Sequence, residues 1–224
     1  MSASPAVHKP LESKPKKVRV ANPVRSARTR EKLMRATIEC LYELGYDRTS
    51  TVLVTKRAGV SRGAMLHQFP SKADLMMAAS DYIRLQRRAA HQAALDGIED
   101  PLEKLRRVID ISWSELSTPS GVARIEIMLA SRSDASFGAR FSELNAELDR
   151  RHKEWMWTLA EAAGIADRPA IETITTLYAA ALRGLAIDLL QPGSRAKLTA
   201  AVDLLRDYQN RRLEDLISEA RVRG

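Results

Sequence analysis

The chain of 224 residues has few features of an exported, membrane-bound or disulfide-linked protein. Its single cysteine, Cys40, excludes an internal disulfide. Because Cys40 falls on the apolar face of a predicted helix, it is best interpreted as a small buried side chain in a reducing compartment. No run of eighteen apolar residues occurs, and the N-terminal residues lack an apolar signal segment. We therefore expect a cytoplasmic protein with no membrane partner.

The sequence also lacks the motifs of common enzymes. It has no glycine-rich phosphate loop, no nucleophile elbow, no cluster of metal ligands and no cysteine–histidine arrangement. The other three histidines show no ligand spacing around His67, so a metal ion there is not expected. These absences predict a protein that is not an enzyme and that holds no cofactor or metal.

Alanine and leucine are abundant, whereas glycine and runs of β-branched residues are few. This composition favours an all-α fold, and the length suits one or two domains with a substantial core. Proline, glycine and capping residues divide the chain into nine predicted helices. Their expected positions are 28–44, two short helices within 51–69, then 72–95, 101–116, 122–132, 135–163, 169–190 and 195–220.

The most informative stretch is Thr51–Phe69, which predicts two short helices with a tight turn between them. Thr51 is placed to cap the first helix and Ser61 to cap the second. Gly59 lies between them, where only glycine adopts the left-handed conformation without steric cost. This pattern is typical of a helix-turn-helix, whose second helix enters the major groove of DNA, although a two-helix corner of any α protein can share it.

The flanking segments favour the first interpretation. Residues 28–44 have apolar positions at helical spacing, and Ser71 with Asp74 forms a capping box after Pro70. The motif positions that follow one another in this region are Leu33, Ala36, Leu41, Gly45-Tyr46, Thr49–Val52, Ala58–Ser61, Gly63, Phe69 and Lys72–Leu75. In these positions residues 28–75, about a fifth of the chain, resemble the N-terminal domain of the tetracycline-repressor (TetR) family of transcriptional regulators.

The resemblance implies a nine-helix TetR-like architecture. It consists of a three-helix DNA-binding domain at residues 26–78 and a helical effector-binding and dimerisation domain at residues 79–224. Residues 1–25, with four prolines and many basic side chains, are expected to be a disordered arm. The arm is either a solvated tail or a DNA contact that reaches the phosphates, or the minor groove through Arg19 or Arg25.

Within the second helix of the motif, Met65 and Phe69 are expected to face the core. Of the remaining residues, Arg62 is a candidate for a bidentate contact to guanine and Gln68 for one to adenine, while Ala64 or Leu66 can pack on a thymine methyl. The resemblance places Ser61, Arg62, Gly63, Ala64, Leu66 and His67 on DNA, and Thr51 and Lys72 on phosphates. The chain departs from the family at Leu66, where a tyrosine is more usual, and at Gln68 and Thr55.

The distribution of charge agrees with a DNA partner. Residues 1–30 contain eight Lys or Arg and one Glu, whereas residues 81–224 contain 21 Lys or Arg and 22 Asp or Glu. The net charge of +8 is therefore concentrated at the helix-turn-helix end, although an acidic or membrane-surface partner can also attract a basic tail.

The last two helices most resemble a subunit interface, since reading a two-fold operator requires two copies of the motif. Small side chains that would allow close approach occur at Ala179–Ala181 and Gly184. Apolar area is supplied by Ile174, Leu177, Leu185, Leu198, Val202, Leu205 and Leu216, some of which must also serve the core of the subunit.

The middle helices are expected to enclose an effector pocket. Its candidate lining residues are Trp113, Met128, Phe137, Phe141, His152, Trp155 and Tyr178, although aromatic residues of an α domain often only fill the core. Polar residues also fall among these apolar segments, at Glu126, Arg132, Arg183 and Asp188. A mostly apolar pocket with a few polar groups suits a small hydrophobic effector.

The sequence thus favours a homodimeric, ligand-responsive repressor that binds a palindromic DNA operator and is released by an effector. The lever for this response is the helix that begins at Lys72, which the resemblance places between the two domains. An enzyme, and a DNA-binding or scaffolding protein without a small-molecule input, are the alternatives.

Overall fold

The computed structural model describes residues 23–191, 193 and 195–223. Within these residues the chain forms nine α-helices, which confirms the predicted all-α class. The helices are α1 (Pro23–Arg48), α2 (Thr51–Ala58), α3 (Arg62–Gln68), α4 (Lys72–Leu95), α5 (Pro101–Leu116), α6 (Pro119–Ala130), α7 (Ala135–Ala162), α8 (Arg168–Asp188) and α9 (Arg195–Arg223). The first 22 residues, including Arg19 of the predicted arm, lie outside the described part of the chain.

Two helices begin three or more residues earlier than predicted. Helix α1 starts at Pro23, so Arg25 is helical and the predicted arm is too long by three residues; proline is well tolerated in a first helical turn. Helix α6 starts at Pro119 instead of 122 because the Thr118 hydroxyl accepts a hydrogen bond from the Gly121 N–H at 3.2 Å. Helix α1 kinks at Gly45, whose φ of 75° is accessible to glycine without strain.

The buried side chains form three clusters. The largest, which we call the head core, joins α1–α4 to α6 and α7, so that Ala123, Ile127, Phe137 and Phe141 pack with the helices of the DNA-binding motif. The second cluster lies among α5, α7, α8 and α9, and the third among α5, α6, α8 and α9. The predicted domain boundary at residue 78 falls inside α4, and the packing of the motif continues beyond it.

Helix α8 is long and apolar, and much of it is exposed. By length and composition alone it could cross a membrane, yet its other face, with Ile171, Tyr178 and Leu182, is buried in the subunit core. Only 28% of the most apolar stretch of α8 is buried. Leu177 and Ile187 are 60% and 43% exposed, and on α9 the exposed large side chains include Leu204 and Tyr208.

Some of the apolar residues named for the predicted interface serve the core of the subunit instead, as was expected of part of this set. Leu198, Val202 and Leu216 are buried within the subunit, where Val202 packs with α5, α6 and α8 and Leu216 packs with α5, α7 and α8. Leu177, Ala180 and Gly184 do face solvent. The correct exposed set includes Ile187, which the apolar pattern alone did not separate from the core.

Candidate nucleic-acid interface and effector cavity

Helices α2 and α3 form the predicted corner. The Ser50 hydroxyl, and not that of Thr51, caps α2 by accepting the Leu53 N–H at 3.2 Å, while Thr51 is the first helical residue. Gly59 is left-handed, with φ 62° and ψ 37°, and ends α2. The Ser61 hydroxyl caps α3, as predicted, by accepting the Ala64 N–H at 3.2 Å.

The two faces of α3 differ sharply. Met65 and Phe69 are 1% and 3% exposed and pack in the head core, as expected from their spacing. The opposite face is formed by Arg62 and Leu66, one turn apart, and by Gly63 and His67 beside them, all exposed. Ser61 is exposed at the start of this face, and Ala64 is half-buried at its edge.

Two of the predicted DNA contacts have partners within the chain. Gln68 Nε2 donates a hydrogen bond to Ser26 Oγ at 2.6 Å, which ties α3 to α1 and uses one of the two N–H donors of this amide. Lys72 Nζ donates to the Tyr46 carbonyl at 3.0 Å and lies 3.9 Å from the centre of the Tyr46 ring. Burial lowers the pKa of Lys72, and the charges of Asp134 and Asp47 oppose this effect.

Tyr46 joins the DNA-binding helices to the rest of the molecule. Its N–H donates to Glu126 Oε2 at 2.9 Å, and its hydroxyl donates to Asp134. Burial and the Asp134 hydrogen bond raise the pKa of Tyr46, so the phenol stays protonated at neutral pH. The kink of α1 is thus fastened to α6 and to the N-terminus of α7, and Lys72 fastens it to α4.

The described DNA-binding end is positively charged. Residues 23–80 contain ten Lys or Arg and five Asp or Glu. Part of this charge is neutralised on the side of α1, where Arg57 lies 2.5 Å from Glu43 and Arg35 lies 2.6 Å from Glu31. Arg62 is exposed on α3, where its charge favours a phosphate-rich partner.

A cavity of about 40 Å³ lies among α5, α7, α8 and α9, with room for about three water molecules. Its walls are mostly apolar, with hydroxyl, imidazole and amide groups between them. The lining residues are Val108, Ile109, Ser112, His152, Met156, Ile174, Thr175, Tyr178, Ala179, Leu182 and Gln209. Burial lowers the pKa of His152, aided by His91 and Arg87, so the imidazole is neutral at pH 7.

Only two of the predicted effector residues, His152 and Tyr178, line this cavity. Trp155 lies behind His152, with ring centres 5.8 Å apart, and Trp113 and Met128 pack on the cluster that contains Tyr178. Phe137 and Phe141 do not line this cavity and belong to the head core. The centre of the Phe137 ring lies 5.9 Å from that of Tyr46 and 6.2 Å from that of Phe141.

Sequence reasoning missed a group of charged residues beside the cavity. Arg87 and His91 on α4 approach Glu115 on α5, and Arg124 on α6 is largely shielded from water. A signal for Arg124 was available, since it interrupts the apolar run from Val122 to Ala130. The role of this group is considered below.

Comparison with known proteins agrees with the geometry. The profile of the family described as bacterial regulatory proteins, tetR family, matches residues 33–79, which span the kinked end of α1, the helix-turn-helix and the start of α4. An uncharacterised HTH-type transcriptional regulator of Mycobacterium tuberculosis is 32% identical over 112 residues, 49% of this chain and 56% of that protein. The chain thus matches about half the length of that relative.

Other similarities extend over most of the chain. The HTH-type transcriptional repressor AcnR of Corynebacterium diphtheriae is 27% identical over 180 residues, which cover 80% of this chain and 90% of the repressor. The crystal structure of a TetR transcriptional regulator from Chloroflexus aurantiacus superposes with a TM-score of 0.67 at 21% identity, over 83% of this chain and 96% of that one. Residues 33–79 therefore belong to the tetR family of bacterial regulatory proteins, a family of DNA-binding proteins and not of enzymes, and the nine helices of the described residues have a TetR-like fold.

Proposed function

We propose that the protein is a homodimeric repressor that binds a palindromic operator through α3 and leaves it when a small effector binds in the C-terminal helices. The observation that carries the proposal is the two-sided character of α3. One face is fixed in the head core by Met65, and the opposite face presents Arg62, Leu66 and His67 to solvent. This arrangement supports insertion of the free face into a major groove.

The exposed apolar positions of α8 support the dimer. Leu177, Ala180, Gly184 and Ile187 recur at intervals of three, four and three residues, and we call this row the α8 stripe. Such spacing places all four on one line along the helix. A helix of this composition with so little of its apolar surface buried favours a protein partner, and a second copy places two α3 helices on one DNA duplex.

The contacts of α4 support the ligand response. Its first turn is held to α1 by Lys72, and farther along Arg87 and His91 face Glu115 beside the cavity. A ligand that changes the packing around α5 therefore acts on the same helix that positions the DNA-binding motif. We expect an effect on DNA affinity equivalent to about 1–3 kcal/mol of coupling, exerted in the cytoplasm where the operator lies.

In vitro selection of random duplex DNA by the purified full-length chain tests the proposal. Enrichment of one palindrome at near-physiological salt supports both sequence-specific binding and the dimer. Enrichment of an unpaired half-site would contradict the dimer. If the folded protein enriches no sequence, the result contradicts specific recognition. The selected duplex then serves as the probe for the variants described below.

Replacing Arg62 with alanine is expected to relax base preference at one position of each half-site. The cost is about 1–3 kcal/mol per half-site against the preferred base, because a bidentate contact is lost. Selection with Arg62→Ala, followed by titration of single-base variants, measures the change. Arg150→Ala, which removes an exposed arginine from α7, is the matched control. A uniform loss of affinity across all sequences would instead assign Arg62 to the phosphates.

Replacing Lys72 with methionine separates two roles of this side chain. Loss of its hydrogen bond to the Tyr46 carbonyl is expected to lower the free energy of unfolding by about 1 kcal/mol. If each lysine also contacts one phosphate, the slope of log affinity against log salt falls by about 1.8 for the dimer. We expect both changes, and Lys197→Met on the exposed surface of α9 to give neither. If the slope of log affinity against log salt is unchanged, Lys72 contacts no phosphate and only holds α1 to α4.

A further inference from the structure

We propose that the effector is an organic carboxylate, whose acid group binds Arg124 and whose apolar part extends into the cavity lined by α5, α7, α8 and α9. This proposal rests on the ligand response proposed above and specifies the chemistry of that site. It replaces the purely hydrophobic effector that the sequence favoured. The residues concerned, which we call the charged cluster, are Arg87, His91, Glu115, Arg124, His152 and Arg183.

Arg124 is a shielded cation without a full set of partners. Its Nε is inaccessible to solvent and has no hydrogen-bond partner among the described residues. Burial lowers the pKa of Arg124 to about 9, and the nearby charges of Arg87 and Arg183 contribute to this shift while Glu115 opposes it. At neutral pH the guanidinium is therefore charged, and leaving it buried without an anion is unfavourable.

The carboxylate that acts on Arg124 in this cluster, Glu115, is hydrogen-bonded to Arg87 through Oε2, whereas its buried Oε1 has no hydrogen-bond partner among the described residues. The side chain of Glu115 is 8% exposed, with Oε2 at 2.7 Å from Arg87 Nε and Oε1 at 3.3 Å from His91 Nε2. Burial alone would raise the pKa of Glu115, but His91 and Arg87 outweigh it and lower the pKa, so this carboxylate is ionised. Three guanidinium groups thus share one negative charge, and the cluster can accept a second anion.

The charged cluster adjoins the cavity on three helices. His152 belongs to both, since it lines the cavity and its charge state depends on His91 and Arg87. On α8, Arg183 lies one turn beyond the cavity residue Ala179, and on α5 Glu115 lies one turn beyond Ser112. A ligand with an acid group at one end and a hydrocarbon or aromatic body can satisfy the cluster and fill the apolar part together.

The size of the cavity adds a mechanical consequence. At about 40 Å³ it is too small for such a body, so binding must displace side chains that now fill the space. The carboxylate also competes with Glu115 for Arg87, which belongs to α4. Entry of the ligand therefore weakens a link between α4 and α5, and by reciprocity operator DNA lowers the affinity for the acid.

Thermal unfolding of the full-length chain with matched ligands tests the proposal. The probes are octanoate and 4-phenylbutyrate, compared with 1-octanol and octyltrimethylammonium, which keep the apolar body and change the head group. We expect the two acids, at millimolar concentration, to raise Tm by on the order of 5 °C and to release the selected operator duplex. The neutral and cationic probes are expected to do neither. If the folded wild-type chain is stabilised by no acid, or equally by the alcohol, the proposal is wrong.

Variants of Arg124 exclude a merely structural role. Without ligand, Arg124→Met is expected to be at least as stable as the wild type, because it removes a buried charge that lacks partners. It should bind the acids at least about tenfold more weakly, and Arg124→Lys should restore part of this affinity. Arg132→Met, which removes an exposed arginine just after α6, is the control and should behave as the wild type. A lower Tm for Arg124→Met with unchanged acid binding would overturn the proposal.

The test also separates this proposal from the proposed function. If the acids bind but no operator is selected, the result supports the anion site and contradicts the proposed repressor function. If an operator is selected but only the alcohol or the ammonium probe releases it, the result supports the repressor and contradicts a carboxylate effector.

Discussion

Replacing Leu177 with glutamate is expected to give a folded monomer whose affinity for the selected operator is about 100-fold lower or more. Leu177 is 60% exposed at the N-terminal end of the α8 stripe, so the change leaves the core of the subunit intact. In a symmetric dimer the same residue occurs on both copies, and each interface would contain two unpaired carboxylates. Light scattering after size-exclusion chromatography measures the mass, and anisotropy of a labelled duplex measures affinity.

The matched control is Leu129→Glu, which alters an apolar side chain on α6 that is 49% exposed and lies outside the α8 stripe. We expect it to remain dimeric and to bind the operator as the wild type does. Circular dichroism of both variants should show unchanged helix content. A Leu177→Glu protein that stays dimeric with native affinity would show that the two copies associate through another surface.

Replacing Gly121 with alanine is expected to lower the free energy of unfolding by about 1–3 kcal/mol, with a fall in Tm of roughly 5 °C. A Cβ at this position would lie 2.4 Å from the Leu116 carbonyl oxygen and 2.6 Å from that of Glu115. Both contacts are with the backbone of α5, which cannot move aside as the end of a flexible side chain can. Alanine would therefore separate α6 from α5 and shift Glu115 in the charged cluster.

Gly63→Ala provides the control for this prediction, since no other atom lies within 4 Å of the added Cβ. Removing backbone freedom from the first turn of α3 should leave the free energy of unfolding unchanged or raise it by up to about 1 kcal/mol. Chemical denaturation of the two variants compares the same substitution in a closed and an open position. Equal stability of Gly121→Ala and the wild type would contradict the close approach of α5 and α6.

The sequence predicted those elements of the fold that depend on local chemistry. Ser61, Ser71 and Asp100 were expected to begin helices, and the hydroxyl or carboxylate of each accepts a backbone N–H in the first turn. Where several residues could serve, the local rule was insufficient. Ser50 and not Thr51 caps α2, and Pro119 begins a helix that was expected to start after it.

The effector site was predicted less well because aromatic and apolar side chains occur in every buried cluster and do not mark the one that contains the cavity. Phe137 and His152 both lie on α7, yet one packs beneath the DNA-binding helices and the other lines the cavity four turns away. An apolar pattern indicates which residues are buried but not which helix covers them. The partners of Arg87, His91 and Glu115 depend on the packing of α4 against α5, and no spacing in the sequence reveals it.

The extension of the head core into α6 and α7 has a consequence for how such regulators can diversify. The packing of the DNA-binding helices is completed by Ala123, Ile127, Phe137 and Phe141. A recombinant in which residues 23–80 come from a relative would therefore pack its new helices against side chains of α6 and α7 that do not match them. New operator specificity is therefore more accessible through point changes on the free face of α3 than through exchange of the whole segment. A working chimera would need to carry the two contacting turns of α6 and α7 with it.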